Sequence, residues 1–206
     1  MSATDHHVLV IHPSDKDLIT AQIAARNGKT ILFVKTQRGT DRLAVNLAKI
    51  NVLVGGLHGG KSQAVRTRTL KLFKEQENTA LVATDVTARG IHIDGISLVV
   101  HVDAPTDHKD YLHRSGRTAR AGEAGGVVVL ATTKQQTSVK GSTSRAGVTT
   151  KFVGVKSNDA ELMTITGAQE PSGIPYMALT TESRGPSRSG GKRPRPNSSQ
   201  RRRRLR

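Results

Sequence analysis

The sequence predicts an α/β domain with a mostly parallel sheet flanked by helices, on three observations. Short apolar runs rich in Val, Ile and Leu recur from residue 8 to residue 130. They are continuous rather than alternating, the pattern of strands covered on both faces. Longer amphipathic stretches lie between them, and strand–helix alternation of this kind builds a parallel sheet.

The elements follow in order. A first strand over 8–11 leads into a helix over 15–26. A second strand over 31–34 precedes a helix over 41–50, where Leu43, Leu47 and Ile50 recur at i, i+4 and i+7 and form one buried stripe. Strands over 52–54 and 80–83 bracket a helix over 62–76, and strands over 98–102 and 127–130 bracket a helix over 107–117. After Thr133 the periodicity weakens, leaving a strand over 151–155 and a short helix over 159–166. The organisation is thus a domain over 5–133, a small extension over 134–170 and an Arg-rich tail over 171–206. Pro, Gly, Ser and Arg dominate the tail, which cannot bury enough apolar surface to offset chain entropy and reads as disordered.

Composition narrows the function. The 206 residues carry 32 Lys and Arg against 16 Asp and Glu, a formal net charge of +16. Residues 171–206 hold ten of those cations and one acid, Glu182, so the tail carries +9 and Met1–Glu170 carries +7. Cysteine is absent, which excludes disulfides, thiolate metal sites and Cys nucleophiles and fits a reducing, cytoplasmic setting. No apolar run approaches the ~20 residues of a membrane-spanning helix, so no membrane partner is expected. The polar start MSATDHH shows no signal peptide. Trp is absent, and Phe and Tyr number only 3 and 2, which argues against recognition by rows of stacked bases. A basic, aromatic-poor chain points instead to phosphate-backbone contacts. His6, His7 and His12 lack acids at ligand spacing, so no metal site of the chain's own is expected.

In open parallel sheets, ligands collect beyond the carboxyl ends of the strands. Lys35–Arg38 follows the second strand, Gly55–Gly60 the third, Thr84–Gly90 the fourth and Asp103–Asp107 the fifth. Glycine lets a backbone approach a ligand closely, and hydroxyls or unpaired N–H groups bind phosphate oxygens. The densest cluster is His113-Arg114-Ser115-Gly116-Arg117-Thr118-Ala119-Arg120. On a helix, His113, Arg117 and Arg120 would share one face, and two guanidiniums there suit a polyanion. Alone, the octet would read equally as a solvated basic helix end.

Together these strings resemble the second RecA-like domain of DEAD-box RNA helicases. Residues 82–90, Val-Ala-Thr-Asp-Val-Thr-Ala-Arg-Gly, look like that family's motif V, and His113 to Arg120 fits its motif VI, HRxGRxxR. Phe33-Val34-Lys35-Thr36 looks like motif IV. Leu57-His58-Gly59-Gly60 with Gln63 and Arg66 resembles the HGx…QxxR segment between them. The likeness runs from about Asp5 to Thr133, in order and at the right spacing. It implies one RecA-like domain that shares ATP with Mg²⁺ with a first RecA-like domain, in cis or in trans, and that has RNA as partner. By the same resemblance, Arg117 and Arg120 are arginine fingers and His113 couples to the first domain. Thr36, Arg38, Gly59, Gln63, Arg66, Thr84, Arg89 and Gly90 map to positions that grip the RNA backbone. Asp85 is expected to pair with Arg89, or else to cap a helix.

Two departures matter. The family places an acid for the ATP ribose where this chain has His92, and Asp94 lies two residues on. Neither a P-loop nor an Asp-Glu-Ala-Asp string occurs: Gly28-Lys29-Thr30 lacks the earlier glycine, since residue 23 is Ile, and precedes a strand. The 206 residues alone are therefore expected not to hydrolyse ATP. The competing expectation is a non-enzymatic RNA-binding protein that keeps the fold. A metabolic dinucleotide-binding enzyme is excluded, because no GxGxxG opens the first helix.

Overall fold

A computed structural model of the chain describes residues 4–88, 93–119 and 124–173. The expected tail beyond residue 173, together with Arg89, Gly90, His92 and Arg120, lies outside them. Seven strands form one sheet: β1 Thr4–Ile11, β2 Lys29–Phe33, β3 Val54–Leu57, β4 Ala80–Ala83, β5 Ile96–His101, β6 Gly125–Thr132 and β7 Lys151–Gly154. Their order is β3-β4-β2-β5-β6-β1-β7, and every pairing is parallel. The helices are α1 Lys16–Ala24, α2 Gln37–Lys49, α3 Gln63–Glu75, α4 Asp85–Ala88, α5 His108–Ser115, α6 Gln136–Arg145 and α7 Ala160–Thr166.

Strand side chains alternate between two cores. Leu9, Leu32, Val82, Val100 and Leu130 face one side, where Ile19 and Ile23 of α1, Leu47 of α2 and Leu162 of α7 cover them. Val8, Ile31, Phe33, Val99 and Val129 face the other, beneath Phe73 of α3, Tyr111 of α5 and Val139 of α6. Both faces are closed, which is why the strands read as unbroken apolar runs. Residues 134–170 belong to the same body. They supply α6 and α7 on opposite faces and β7, which pairs with β1 from His7↔Lys151 to Val10↔Gly154.

Three differences from expectation bear on packing and on the site. The third strand is Val54–Leu57 rather than 52–54, so Gly55 and Gly56 lie in the sheet instead of a loop. A Cβ at Gly55 would come within 2.5 Å of the Thr69 methyl of α3, so only glycine lets that helix sit this close. Helix α5 stops at Ser115 with Gly116 as its cap, and Ala119 has a φ of 55°. Arg117 is therefore past the helix end, and the shared helical face with His113 does not form. Helix α6 was invisible in the hydrophobic pattern because it buries Ser142 and Thr143 beside Val139. Substituting Gly55→Ala should lower unfolding stability in urea by about 1–3 kcal/mol. A Thr69→Ser background, which removes the obstructing methyl, should return most of that loss.

Candidate functional site

The carboxyl ends of β3, β4, β2 and β5 are neighbours, so their following segments form one continuous edge. Its outer part is built from two helix starts and a turn. Thr36 caps α2 by accepting the Gly39 N–H at 3.0 Å, and Ser62 caps α3 by accepting from the Val65 N–H. Both 13-residue helices thus direct their N-terminal dipoles at the edge, where anions are favoured. Thr36, Arg38, Gly59 and Gln63 are exposed there, and Arg66 is half-buried. Thr84, at the end of β4, is buried, and its hydroxyl lies 3.2 Å from that of Thr87.

A charged network fixes the Gly59–Gly60 turn. The Gly60 N–H donates to His58 Nδ1 at 3.1 Å, so the ring proton is on Nε2, which donates to Asp41 at 3.1 Å. Lys61 Nζ reaches Asp41 at 2.9 Å. Burial pushes the Asp41 carboxyl up, but hydrogen bonds from Lys61 and His58 outweigh it and hold the group below its ordinary value. The one acid on this part of the edge is thereby occupied.

The inner part centres on Arg114. Its side chain is only 4% exposed, and it forks onto Asp85 with Nε–Oδ1 at 2.5 Å and Nη2–Oδ2 at 2.6 Å. Nη1 donates to the Asp103 carbonyl at 2.8 Å, and the guanidinium sits 5.3 Å from the centre of the Phe33 ring. Asp85 therefore pairs with Arg114, and its expected partner Arg89 lies outside the described residues. The Asp103 carboxylate accepts from Lys16 Nζ at 2.7 Å and from the Lys35 N–H at 2.9 Å. Burial raises the Asp103 carboxyl, but the Lys16 and Lys35 hydrogen bonds win and hold it low. Around this knot, His113 is exposed and Arg117 is half-buried, beside Phe33, Asp85, Ala88 and Asp110. Asp94 is exposed in the turn before β5.

The space between His113, Arg114 and Arg117 is about 10 Å³, room for one water at most. Among the described residues it is too small to enclose a nucleotide. No group of three or more His, Asp or Glu among the described residues is placed to hold a metal ion.

Sequence reasoning passed over Asp41 and Lys16, and it noted Arg114 only within the 113–120 cluster and Asp103 only as following the fifth strand. A signal for Arg114 was present, since Tyr111, Arg114 and Ser115 stand at i, i+3 and i+4 and share the buried face of α5. Behind that face, His101 is fully buried with no hydrogen-bond partner for either ring nitrogen among the described residues, and it stacks on Tyr111 at 5.1 Å. The Tyr111 hydroxyl meets His6 Nδ1 at 2.6 Å, and burial pushes the phenol up to about 12.

An all-parallel sheet covered by helices on both faces defines a RecA-like α/β domain, with helix N-termini, glycines and arginines gathered at its strand ends. Residues 15–122 match the helicase conserved C-terminal domain, and the chain belongs to that family as a C-terminal helicase domain of the DEAD-box kind. It is 43% identical over 115 residues to DEAD-box ATP-dependent RNA helicase 9, mitochondrial, of Arabidopsis thaliana, which covers 56% of this chain and 19% of that protein. With DEAD-box ATP-dependent RNA helicase 3B, chloroplastic, of Zea mays, it shares 40% over 137 residues, 66% of this chain and 18% of the relative. The chain thus spans less than a fifth of these relatives' length. Among solved structures, S. cerevisiae Dbp5 bound to RNA and ADP BeF3 superposes with a TM-score of 0.70 at 27% identity, over 80% of this chain and 44% of that one. Mss116p DEAD-box helicase domain 2 bound to an RNA duplex gives 0.65 at 27% identity, over 78% and 68%.

The buried His101 sets a pH dependence. Burial, with Arg114 and His6 nearby, holds its pKa well below the ordinary value, so the fold keeps it neutral. The unfolded chain protonates it below about pH 6.5, so stability falls as pH drops through that value. His101→Phe should flatten the decline in unfolding free energy between pH 7 and 5, measured by urea titration at each pH. A slope equal to that of the unmodified chain would contradict this.

Proposed function

We propose that this chain is the second lobe of an ATP-dependent RNA helicase. RNA lies along the outer edge, held through its backbone by the α2 and α3 N-termini, the Gly59–Gly60 turn, Arg38, Gln63 and Arg66, with Thr84, Arg89 and Gly90 continuing the path. ATP with Mg²⁺ is held by a first RecA-like domain, in cis or in trans, and its γ-phosphate meets Arg117 and Arg120. Water attacks the γ-phosphorus, the bond to the β-phosphate oxygen breaks, and ADP and phosphate leave. The two guanidiniums neutralise charge on the transferred phosphoryl group, an effect of roughly 10³–10⁵ in rate in related systems. His113 couples the lobes, and His92 or Asp94 stands near the ribose.

The observation that supports this reading is the arginine surface beside the Asp85–Arg114 knot, whose enclosed space of about 10 Å³ among the described residues is too small for a nucleotide. A second reading, an RNA-binding protein without ATP chemistry, is favoured by His92 at the usual acid position. A separately prepared first domain, added to the full chain with RNA, separates the two. RNA-stimulated ATP hydrolysis should appear and fall by about 10³-fold in Arg117→Ala and Arg120→Ala. RNA binding without any hydrolysis would select the second reading.

A further inference from the structure

The charge of the folded body is not spread over it. Residues 29–79 hold ten Lys and Arg against Asp41, Glu75 and Glu77, a net +7 that equals the whole excess of Met1–Glu170. All other residues through Glu170 cancel. This stretch is the outer end of the sheet, where α2 and α3 flank the edge strand β3 on its two faces.

The exposed cations there form two stripes. On α2, Arg38, Arg42 and Lys49 are exposed at i, i+4 and i+11, within about 40° of one another around the helix. On α3, Arg68, Lys71 and Lys74 are exposed in steps of three, along a helix ~20 Å long. Asp41 is engaged by His58 and Lys61, and Glu75 meets Lys71 only at 3.8 Å with both side chains more than half exposed. Such a contact neutralises little. The α2 stripe begins at the edge with Arg38, the α3 stripe begins five residues past Gln63, and both run along their helices away from the edge.

The tail leaves from the foot of the same flank. Asn51, just beyond α2, donates through Nδ2 to Ser172 Oγ at 2.5 Å, and the described chain ends at residue 173. Residues 171–206 carry +9. A +9 segment joined beside a +7 surface is self-repelling unless a polyanion lies between them.

We propose that the α2–β3–α3 flank is a second RNA-backbone surface, taking the strand as it leaves the edge. This rests on the RNA reading above. The surface recognises phosphodiester charge and no base, so it acts only on RNA long enough to extend past the edge.

The test uses the full chain with a six-nucleotide and a thirty-nucleotide oligouridylate, titrated at several salt concentrations. The triple variant Arg68→Gln/Lys71→Gln/Lys74→Gln is compared with Lys134→Gln/Lys140→Gln/Lys156→Gln, which removes three exposed lysines elsewhere. Each single-strand phosphate contact contributes about 0.7 to the salt slope, so the flank variant should lose about 2 for the long RNA and nothing for the short one. The control should lose nothing for either. Equal long-RNA slopes for flank variant and unmodified chain, with short-RNA binding intact, would overturn the flank and leave the RNA reading standing. Failure of the unmodified chain to bind either RNA would overturn both. Phosphatidylserine vesicles bound by the chain and released by the flank substitutions, with long-RNA binding unchanged, would assign the surface to a membrane and overturn the proposal.

Discussion

The edge of this domain depends on one buried guanidinium. Removing Arg114 from water costs several kcal/mol, which the fork onto Asp85, the Asp103 carbonyl and the Phe33 ring together offset. The knot joins four places: Asp85 follows β4, Asp103 follows β5, Phe33 ends β2, and Arg114 sits on α5. Through the Asp103 carboxylate the knot extends to Lys16 of α1 and the Lys35 backbone. Loss of one partner would leave the other charge buried and uncompensated, so these segments hold together or loosen together. Arg117 follows Arg114 by three residues, beyond the helix cap, and its position is set by this anchor.

The edge divides by chemistry along the order of the strands. Its outer half, over β3, β4 and β2, presents helix N-termini and a glycine turn, groups suited to a backbone of repeated phosphates. Its inner half, over β4, β2 and β5, presents arginines around a knot with almost no enclosed space. Asp41 and Asp85, the acids nearest these halves, are each consumed by local cations. With Asp41, Asp85 and Asp103 each paired to a local cation, the edge is more attractive to polyanions, and the buried pairing holds Arg114 in place.

The sheet was legible because both faces are covered, which leaves each strand as an uninterrupted apolar run. The 80–83 strand matches the expected bounds, and the others shift by a few residues. Legibility failed where the physics is not hydrophobic. Gly55 and Gly56 carry no apolar signal, yet both lie in β3, and α3 packs too close to Gly55 for a side chain there. Helix α6 buries hydroxyls, and α5 ends where Gly116 caps it, though the polar string runs on without a break. At the site, the ordered motifs in Phe33–Thr36, Leu57–Arg66, Thr84–Gly90 and His113–Arg120 were readable as strings. The Asp85–Arg114 pairing was not, since it joins residues 29 apart and arises only when α5 packs over the end of β4.

The most direct test of this account is a double-mutant cycle between Asp85 and Arg114, using Asp85→Asn, Arg114→Gln and the pair, followed by urea unfolding. If the knot anchors the edge, each single substitution should cost heavily and the two should couple by about 2 kcal/mol. Single-variant losses that simply add, within about 0.5 kcal/mol, would show the two residues acting independently and would contradict it.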